Sequence, residues 1–286
     1  MNLHSHEESL FYFSGDSTVL MTWWQAAILG CLQGLTEFLP VSSSGHLVLA
    51  QHVLGLQLTA DVTFEVFLHL GTAFSIITVY RQKLWSIFKD TALNARHPLR
   101  AYQSHSNVRT VWLVVIASVP AGFAYVFLET QLEWSYAHPW FACMMLIMTG
   151  ILLAMTMVVH ASTGHITIMK STLIGIAQAV SLLPGMSRSG ATISTGLLCN
   201  IKPEEAADFS FIMVLPAIFG ASLVKGLDLL QSSEPITWIP ILVGTSIAYG
   251  MGIFAIHVVL GFVRRGRLHI FASYCVGVGI LGLLFL

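Results

Sequence analysis

The sequence predicts an all-α, polytopic membrane protein with six transmembrane helices plus two re-entrant helical hairpins in an inverted repeat. The 286 residues are 55% hydrophobic and only 9% charged, whereas a soluble domain carries about 25% charged residues. Six apolar runs approach the ~20 residues that a helical span requires. Two further apolar segments are interrupted by polar residues at matching places. Composition, run length and these interruptions together predict the fold class.

The first half of the chain begins with a polar, acidic arm, residues 1–20, which lacks the basic and apolar regions of a signal peptide. Residues 23–50 follow and are interrupted by Glu37, Pro40 and a run of serines. Irregular backbone at membrane depth must line a cavity or the protein interior. We therefore expect two short helices that enter and leave on one membrane face. Three spans are predicted after them, near residues 62–80, 111–128 and 140–160.

The second half repeats this pattern. Residues 171–200 form the second interrupted segment, and three spans are predicted near residues 209–230, 238–263 and 270–286. Five residues of the first segment recur 145 positions later: Gly30, Gln33, Ser42, Ser44 and Gly45 recur as Gly175, Gln178, Ser187, Ser189 and Gly190. We therefore predict a single membrane domain, 21–286, with repeat 1 at about 21–165 and repeat 2 at about 166–286. Because each half crosses the membrane an odd number of times, the two repeats are expected to be inverted.

Basic residues test this topology, because they collect on the cytoplasmic side. Eleven of the 13 basic residues fall on one side of a six-span arrangement: Arg81, Lys83, Lys89, Arg96, Arg100, Arg109, Lys170, Lys202, Arg264, Arg265 and Arg267. Lys225 lies on the other side, and Arg188 belongs to neither face.

Arg188 needs an explanation, because a guanidinium at bilayer depth costs about 3 kcal/mol or more unless it faces a partner or a watery cavity. Two inverted hairpins would bring Arg188 to mid-membrane beside Glu37, Ser43 and His46. An arginine fork and glycine-flanked backbone amides favour a phosphate group as the ligand. The residues expected to line the phosphate site are Gln33, Ser42, Ser44, Glu65, Gly185, Ser187, Ser189, Gly190 and Thr192.

This set of side chains suits phosphoryl transfer. Arg188 would offset the charge that develops in the transition state. Ser43, His46 or a water molecule would attack the phosphorus, with Glu37 or His46 as the base. Alternatives stay open, because Glu37 and Arg188 would also serve as a structural ion pair, and the small residues as close-packing positions between helices.

Residues 33–46 and 184–192 resemble the two motifs of the integral-membrane undecaprenyl-diphosphate phosphatases of bacteria, often called bacitracin-resistance proteins. The resemblance covers about residues 21–286. It implies hydrolysis of undecaprenyl diphosphate to the monophosphate, bacitracin resistance, a location in the bacterial plasma (inner) membrane and an active site that opens to the outer side. It also implies Glu37, Ser43, His46 and Arg188 as the catalytic residues.

Gln33 stands where many members of that family carry glutamate, which leaves the need for a metal open. A divalent cation, Mg²⁺ or Ca²⁺, is expected to be held through Glu37 and the diphosphate. The expected partners are a polyprenyl diphosphate and membrane lipid, without nucleic acid; a homo-oligomer is a further expectation.

Three other functions compete with this one. A polyprenyl-phosphate transporter or flippase would also use inverted repeats with broken helices. The other large class of membrane lipid phosphatases shares Ser-Gly-His, but no histidine follows Arg188 at the spacing which that class uses. A structural scaffold would not need an arginine at membrane depth.

Overall fold

The computed structural model describes residues 21–54, 56, 62–159, 162–231 and 238–285. Within these residues the protein is all-α, as the sequence predicts, and its one β-type pairing is an isolated bridge between Gly164 and Ile201. The predicted arm, residues 1–20, lies outside the described residues. The helices are α1 (Trp23–Phe38), α2 (Ser43–Val53), α3 (Val62–Val79), α4 (Arg81–Leu93), α5 (Pro98–Ser104), α6 (Ser106–Phe127), α7 (Glu129–Tyr136), α8 (Pro139–Met155), α9 (Ile168–Val180), α10 (Arg188–Leu198), α11 (Pro203–Gln231), α12 (Trp238–Arg264) and α13 (Ile270–Phe285).

Four helical stretches in the described part of the chain are long and apolar enough to cross a membrane: Ser106–Phe127, Pro139–Val158, Pro203–Val224 and Trp238–Arg264. They make this a multi-pass membrane protein. The other two predicted spans correspond to α3 and α13, which are apolar but shorter. The chain bends by 81° between α3 and α4. The count of six spans therefore stays a prediction.

Both interrupted segments form pairs of short helices, as predicted. Helices α1 and α2 have 16 and 11 residues and are separated by residues 39–42, and α9 and α10 have 13 and 11 residues and are separated by residues 181–187. None of the four helices reaches the length of a membrane span. The two tips touch, because the Ser189 hydroxyl donates to the Leu39 carbonyl at 3.2 Å. The first hairpin consists of α1 and α2, and the second hairpin of α9 and α10.

The two hairpins pack against the rest of the chain in equivalent ways. Helix α1 lies against α12, and α9 lies against α6. A Cβ atom at Gly30 would overlap the Gly244 carbonyl, and a Cβ atom at Gly175, which is 145 positions later, would overlap the Ala117 carbonyl. A glycine is thus needed at the same place in each hairpin so that two helix backbones can approach closely. The division into two inverted repeats stays a prediction, which these matched contacts support.

A hydrophobic cluster lies beneath the two tips. Phe38, Ile193 and Phe211 are fully buried in it, and the Phe38 and Phe211 rings meet edge to face with their centroids 5.6 Å apart. Phe38 directly follows Glu37, and Ile193 directly follows Thr192. Close packing of these apolar neighbours fixes the helix ends that carry the polar residues described next.

Candidate active site

A cavity of about 200 Å³ lies between the two hairpin tips. Its apolar wall comes from helices α6 and α11 and from the second hairpin tip. Its polar wall combines residues of both hairpins with residues of α3 and α7. The polar side chains that line it are Thr36, Glu37, Ser43, Ser44, His69, Tyr136, Gln178, Ser181, Ser187 and Arg188. Five of them were predicted as site residues: Glu37, Ser43, Ser44, Ser187 and Arg188.

An ion pair joins the two hairpins across this cavity. The Arg188 Nη2 atom donates to Glu37 Oε1 at 2.6 Å, and only 14% and 7% of the two side chains are exposed. Arg188 Nη1 also donates to the Ser210 carbonyl at 3.4 Å. The ion pair that the alternative interpretation predicted is therefore present. A carboxylate this deeply buried needs such a partner, since an isolated charge would be strongly destabilising.

The second oxygen of the same carboxylate holds Ser43. The Ser43 hydroxyl donates to Glu37 Oε2 at 2.6 Å, and the Gln33 amide donates to that oxygen at 3.1 Å. Glu37 is thus placed to take the Ser43 proton while Arg188 balances its charge. The distance of this Ser43–Glu37 contact falls within the range seen for nucleophile and base pairs in enzymes. Gln33 supports the carboxylate from behind and does not line the cavity.

Ser42 holds the tip of the first hairpin. Its φ of 68° lies in the region that residues other than glycine rarely adopt, at a cost of about 1–3 kcal/mol. Its hydroxyl caps α2 by accepting from the Gly45 backbone N–H at 3.2 Å, and it lies 3.3 Å from the Ser44 hydroxyl. Ser42 is buried behind the cavity, so its hydroxyl shapes the tip and does not face the cavity.

The structure does not bring His46 to the cavity, although the sequence analysis expected it there as a catalytic residue. His46 Nδ1 lies 2.8 Å from the Ser42 carbonyl oxygen, and Nε2 lies 2.9 Å from the Tyr274 hydroxyl. The carbonyl only accepts, so Nδ1 carries the proton and Nε2 accepts from the tyrosine. Both ring nitrogens therefore have hydrogen-bond partners, and His46 does not line the cavity.

The second hairpin tip supports Arg188. The Ser187 hydroxyl caps α10 by accepting from the Gly190 N–H at 3.0 Å, and Thr192 bonds the Arg188 carbonyl at 2.7 Å. The Ser187 and Ser189 hydroxyls lie 3.3 Å apart. Of the residues predicted here, only Ser187 and Arg188 line the cavity. Ser189, Gly190 and Thr192 build the turn around them.

Gly185 gives this tip its turn, with a φ of 89°. Thr149 of α8 bridges the turn, because its hydroxyl donates to the Gly185 carbonyl at 2.9 Å and accepts from the Ser187 N–H at 2.9 Å. A Cβ atom at Gly185 would overlap the Ala142 carbonyl. Gly185 is therefore a structural requirement of the turn, and its role in binding a ligand stays a prediction.

Helix α3 contributes His69 rather than Glu65. The His69 Nε2 atom lies 3.8 Å from Glu37 Oε2, and its Nδ1 donates to the Glu65 carbonyl at 2.8 Å. The Glu65 carboxylate is held by the Gln51 amide at 2.9 Å and does not line the cavity. The i,i+4 spacing of Glu65 and His69 signals that the two share a helix face, and the structure places His69 at the cavity.

Sequence reasoning missed Tyr136 and Gln178. Tyr136 ends α7 at the cavity, which it lines together with Ser44. Gln178 is buried, and neither of its amide atoms has a hydrogen-bond partner within the described residues. Its relation to Gln33 through the 145-residue repeat was a signal that could have identified it. No pattern in the sequence marks Tyr136.

The protein groups around Glu37 do not form a cation site by themselves. Within the described residues no group of three or more His, Cys, Asp or Glu side chains could hold a metal ion. Both oxygens of Glu37 already accept hydrogen bonds, and the adjacent positive charge is Arg188. Ca²⁺ and Mg²⁺ prefer several oxygen ligands, which these residues do not supply. The metal-binding role of Glu37 stays a prediction.

Comparison with known proteins identifies the family. The bacitracin resistance protein BacA family matches residues 26–281. The relatives include undecaprenyl-diphosphatases from Salinibacter ruber (45% identity over 92% of this chain and 99% of the relative), Trichlorobacter lovleyi (38% identity; 91% and 96%) and Methanobrevibacter smithii (36% identity; 90% and 95%). On both the family match and this near full-length similarity, the chain belongs to the bacitracin resistance protein BacA family.

Proposed function

We propose that the protein hydrolyses undecaprenyl diphosphate to undecaprenyl phosphate and inorganic phosphate, and that it thereby recycles the lipid carrier and gives bacitracin resistance. The observation that carries this proposal is the Ser43–Glu37–Arg188 arrangement in one cavity between the hairpins. The printed names of the relatives agree with it. The protein is a membrane hydrolase in which Ser43 attacks the phosphorus and Arg188 binds the phosphate.

Arg188 binds the terminal phosphate. Its planar fork matches two phosphate oxygens, and it keeps N–H groups beyond those that bond Glu37 and Ser210. In phosphoryl transfer the charge spreads over the equatorial oxygens, so a fixed cation beside them stabilises the transition state. When Arg188 replaces part of its contact with Glu37 by contacts with phosphate, the Glu37 carboxylate also becomes free to accept a proton.

Ser43 attacks the terminal phosphorus, and its proton passes to Glu37 Oε2. The bond from that phosphorus to the bridging oxygen breaks, and undecaprenyl phosphate leaves with the bridging oxygen. Water then attacks the phosphorylated serine, the proton on Glu37 returns to the serine oxygen, and inorganic phosphate leaves. The 2.6 Å contact from Ser43 to Glu37 supports this route. Direct attack by water would use Glu37 as the base in the same position.

Gln178 contacts the bound diphosphate. A buried amide whose two polar atoms have no hydrogen-bond partner among the described residues is costly unless a ligand or water satisfies it. Gln178 lines the same cavity as Arg188, so its N–H groups can donate to phosphate oxygens. Ser44, Ser187 and Tyr136 supply further hydroxyl donors around this space.

The cavity opens to the outer side of the bacterial inner membrane in this proposal. The distribution of basic residues supports this orientation, because eleven of the 13 collect on the opposite side of the six-span arrangement. A divalent cation, Mg²⁺ or Ca²⁺, bound largely by diphosphate oxygens would add charge compensation; the steps above do not require it.

A polyprenyl-phosphate transporter is the second candidate, favoured by the two interrupted hairpins at matching positions. The assay that separates the two functions measures phosphate release from undecaprenyl diphosphate by purified protein, with and without a chelator. We expect release by the unchanged protein and a loss of about 10³-fold or more in Ser43→Ala. Ser118→Ala, a helix serine bonded to the Val114 carbonyl, is the matched control. No release by the unchanged protein with or without added cation would favour transport.

Phosphoenzyme trapping assigns the nucleophile. Rapid quenching followed by mapping of the phosphate should locate it on Ser43. Phosphate on His46 would contradict the serine route, whereas release without any trapped phosphoenzyme would favour attack by water.

A further inference from the structure

The strained residue Ser42 is held by a histidine that the proposed reaction does not use. The φ of 68° at Ser42 sets the direction in which α2 begins, and Ser43 is the first residue of that helix. The Ser42 carbonyl accepts the His46 side chain at 2.8 Å and the His46 backbone N–H at 3.3 Å. Both of these bonds hold the Ser42 carbonyl at the start of α2. The conformation of the tip, and with it the aim of the Ser43 hydroxyl, thus depends on His46.

His46 in turn is fixed by the last helix. The Tyr274 hydroxyl of α13 lies 2.9 Å from His46 Nε2, and the two rings are stacked with centroids 5.7 Å apart and planes within 4°. The next residue, Cys275, directs its thiol to the Pro40 carbonyl of the same tip at 3.5 Å. Two consecutive residues of α13 therefore contact the first hairpin tip at two different places, His46 and Pro40. Tyr274 and His46 are 228 residues apart in the chain.

We propose that Tyr274 and His46 form a strut that positions Ser43 against Glu37, and that His46 is a positioning residue rather than a nucleophile or base. The strut is the chain of contacts from Tyr274 through His46 to the Ser42 carbonyl. It explains why a histidine next to the serine run has no free ring nitrogen and does not line the cavity. The inference rests on the proposed function, because it assigns how the nucleophile of that reaction is aimed.

Replacement of His46 separates positioning from chemistry. Asparagine places an amide donor near the site of Nδ1 and so can keep the bond to the Ser42 carbonyl, whereas alanine cannot. We expect kcat for phosphate release to fall about 100-fold in His46→Ala. In His46→Asn we expect a fall of about 10-fold or less. In the variants that remain active, kcat should rise and fall at the same pH values as in the unchanged protein. If folded His46→Asn is as inactive as folded His46→Ala, the imidazole itself reacts and the strut is wrong.

Tyr274→Phe tests the other end of the strut and stays informative if His46→Ala does not fold. It keeps the stacked ring and removes only the hydroxyl. We expect kcat to fall several-fold, with KM within about two-fold, and faster hydrogen exchange in residues 39–46. Tyr249→Phe is the matched control, because it removes a hydroxyl that lies 3.1 Å from the Thr78 hydroxyl and is not part of the strut. Unchanged kcat and unchanged exchange in Tyr274→Phe would overturn the proposal.

Hydrogen exchange also separates this inference from the proposed function. If the unchanged protein releases no phosphate, the hydrolase proposal fails, and exchange alone decides on the strut. Faster exchange at residues 39–46 in Tyr274→Phe, but not in Tyr249→Phe, would then support it. Equal exchange in both variants would contradict it.

Discussion

The two hairpin tips share one structural frame, a helix pair whose second helix is capped by a serine, but they carry different functional side chains. In each tip a serine hydroxyl caps the second helix by accepting from an N–H three residues later, Gly45 for Ser42 and Gly190 for Ser187. The first tip then carries Glu37 and Ser43, and the second tip carries Arg188. A shared frame can thus hold a base and nucleophile on one side and a phosphate-binding cation on the other.

The tips differ in how they reach a positive φ. The second tip uses Gly185, which adopts φ 89° without steric cost, and Thr149 of α8 bridges the turn. The first tip uses Ser42, which pays a conformational cost of about 1–3 kcal/mol and depends on His46 for compensation. The difference places the strained conformation in the tip that carries the proposed nucleophile, Ser43.

Loss of Arg188 should have the largest effect. Arg188→Ala leaves Glu37 buried without its partner, so we expect a loss of about 3–5 kcal/mol in the free energy of unfolding. Phosphate release should fall by about 10³-fold or more. Arg188→Lys keeps the charge but not the fork, and it should recover part of the stability and little of the activity. Thermal unfolding and phosphate release measure both effects; full activity in folded Arg188→Ala would contradict the role of this residue.

Gly185 and Ser42 should respond in opposite directions to a change at the positive φ. Gly185→Ala should destabilise the fold by about 1–3 kcal/mol or more, because it adds strain and overlaps the Ala142 carbonyl. Ser42→Gly relieves strain and loses a helix cap worth a few tenths of a kcal/mol, so it should leave stability unchanged or raise it by about 1 kcal/mol. Thermal unfolding of the two variants compares them. Equal destabilisation by both would show that the tips do not differ as described.

Gln178 should show the smallest effect on stability and a selective effect on binding. Gln178→Leu removes two buried polar atoms that have no partner within the described residues, so stability should stay the same or rise. The KM for undecaprenyl diphosphate should rise about 10-fold with little change in kcat. Gln33→Leu is the matched comparison, and it should lose stability because its amide bonds Glu37. An unchanged KM in Gln178→Leu would remove this residue from the site.

Much of this arrangement could be predicted from the sequence. Polar residues inside apolar segments are expensive in a membrane, so Glu37, Ser43 and Arg188 stood out, and the structure places them together. The same reasoning predicted that the two apolar segments are interrupted and form pairs of short helices. The position of His46 outside the cavity could not be predicted, because its neighbours along the chain gave no information on Tyr274, which is 228 residues away. Its distance of four residues from Ser42 was a weak sign of a contact with that carbonyl.

The central claim is that the two tips form one catalytic site, and a double-mutant cycle tests it most directly. The cycle measures kcat/KM for phosphate release in Glu37→Gln, Arg188→Lys and the double variant. Residues that act as a unit are non-additive, so the double variant should be about as slow as the slower single variant. If the two single losses multiply in the double variant, Glu37 and Arg188 act independently, and the account of a shared site is contradicted.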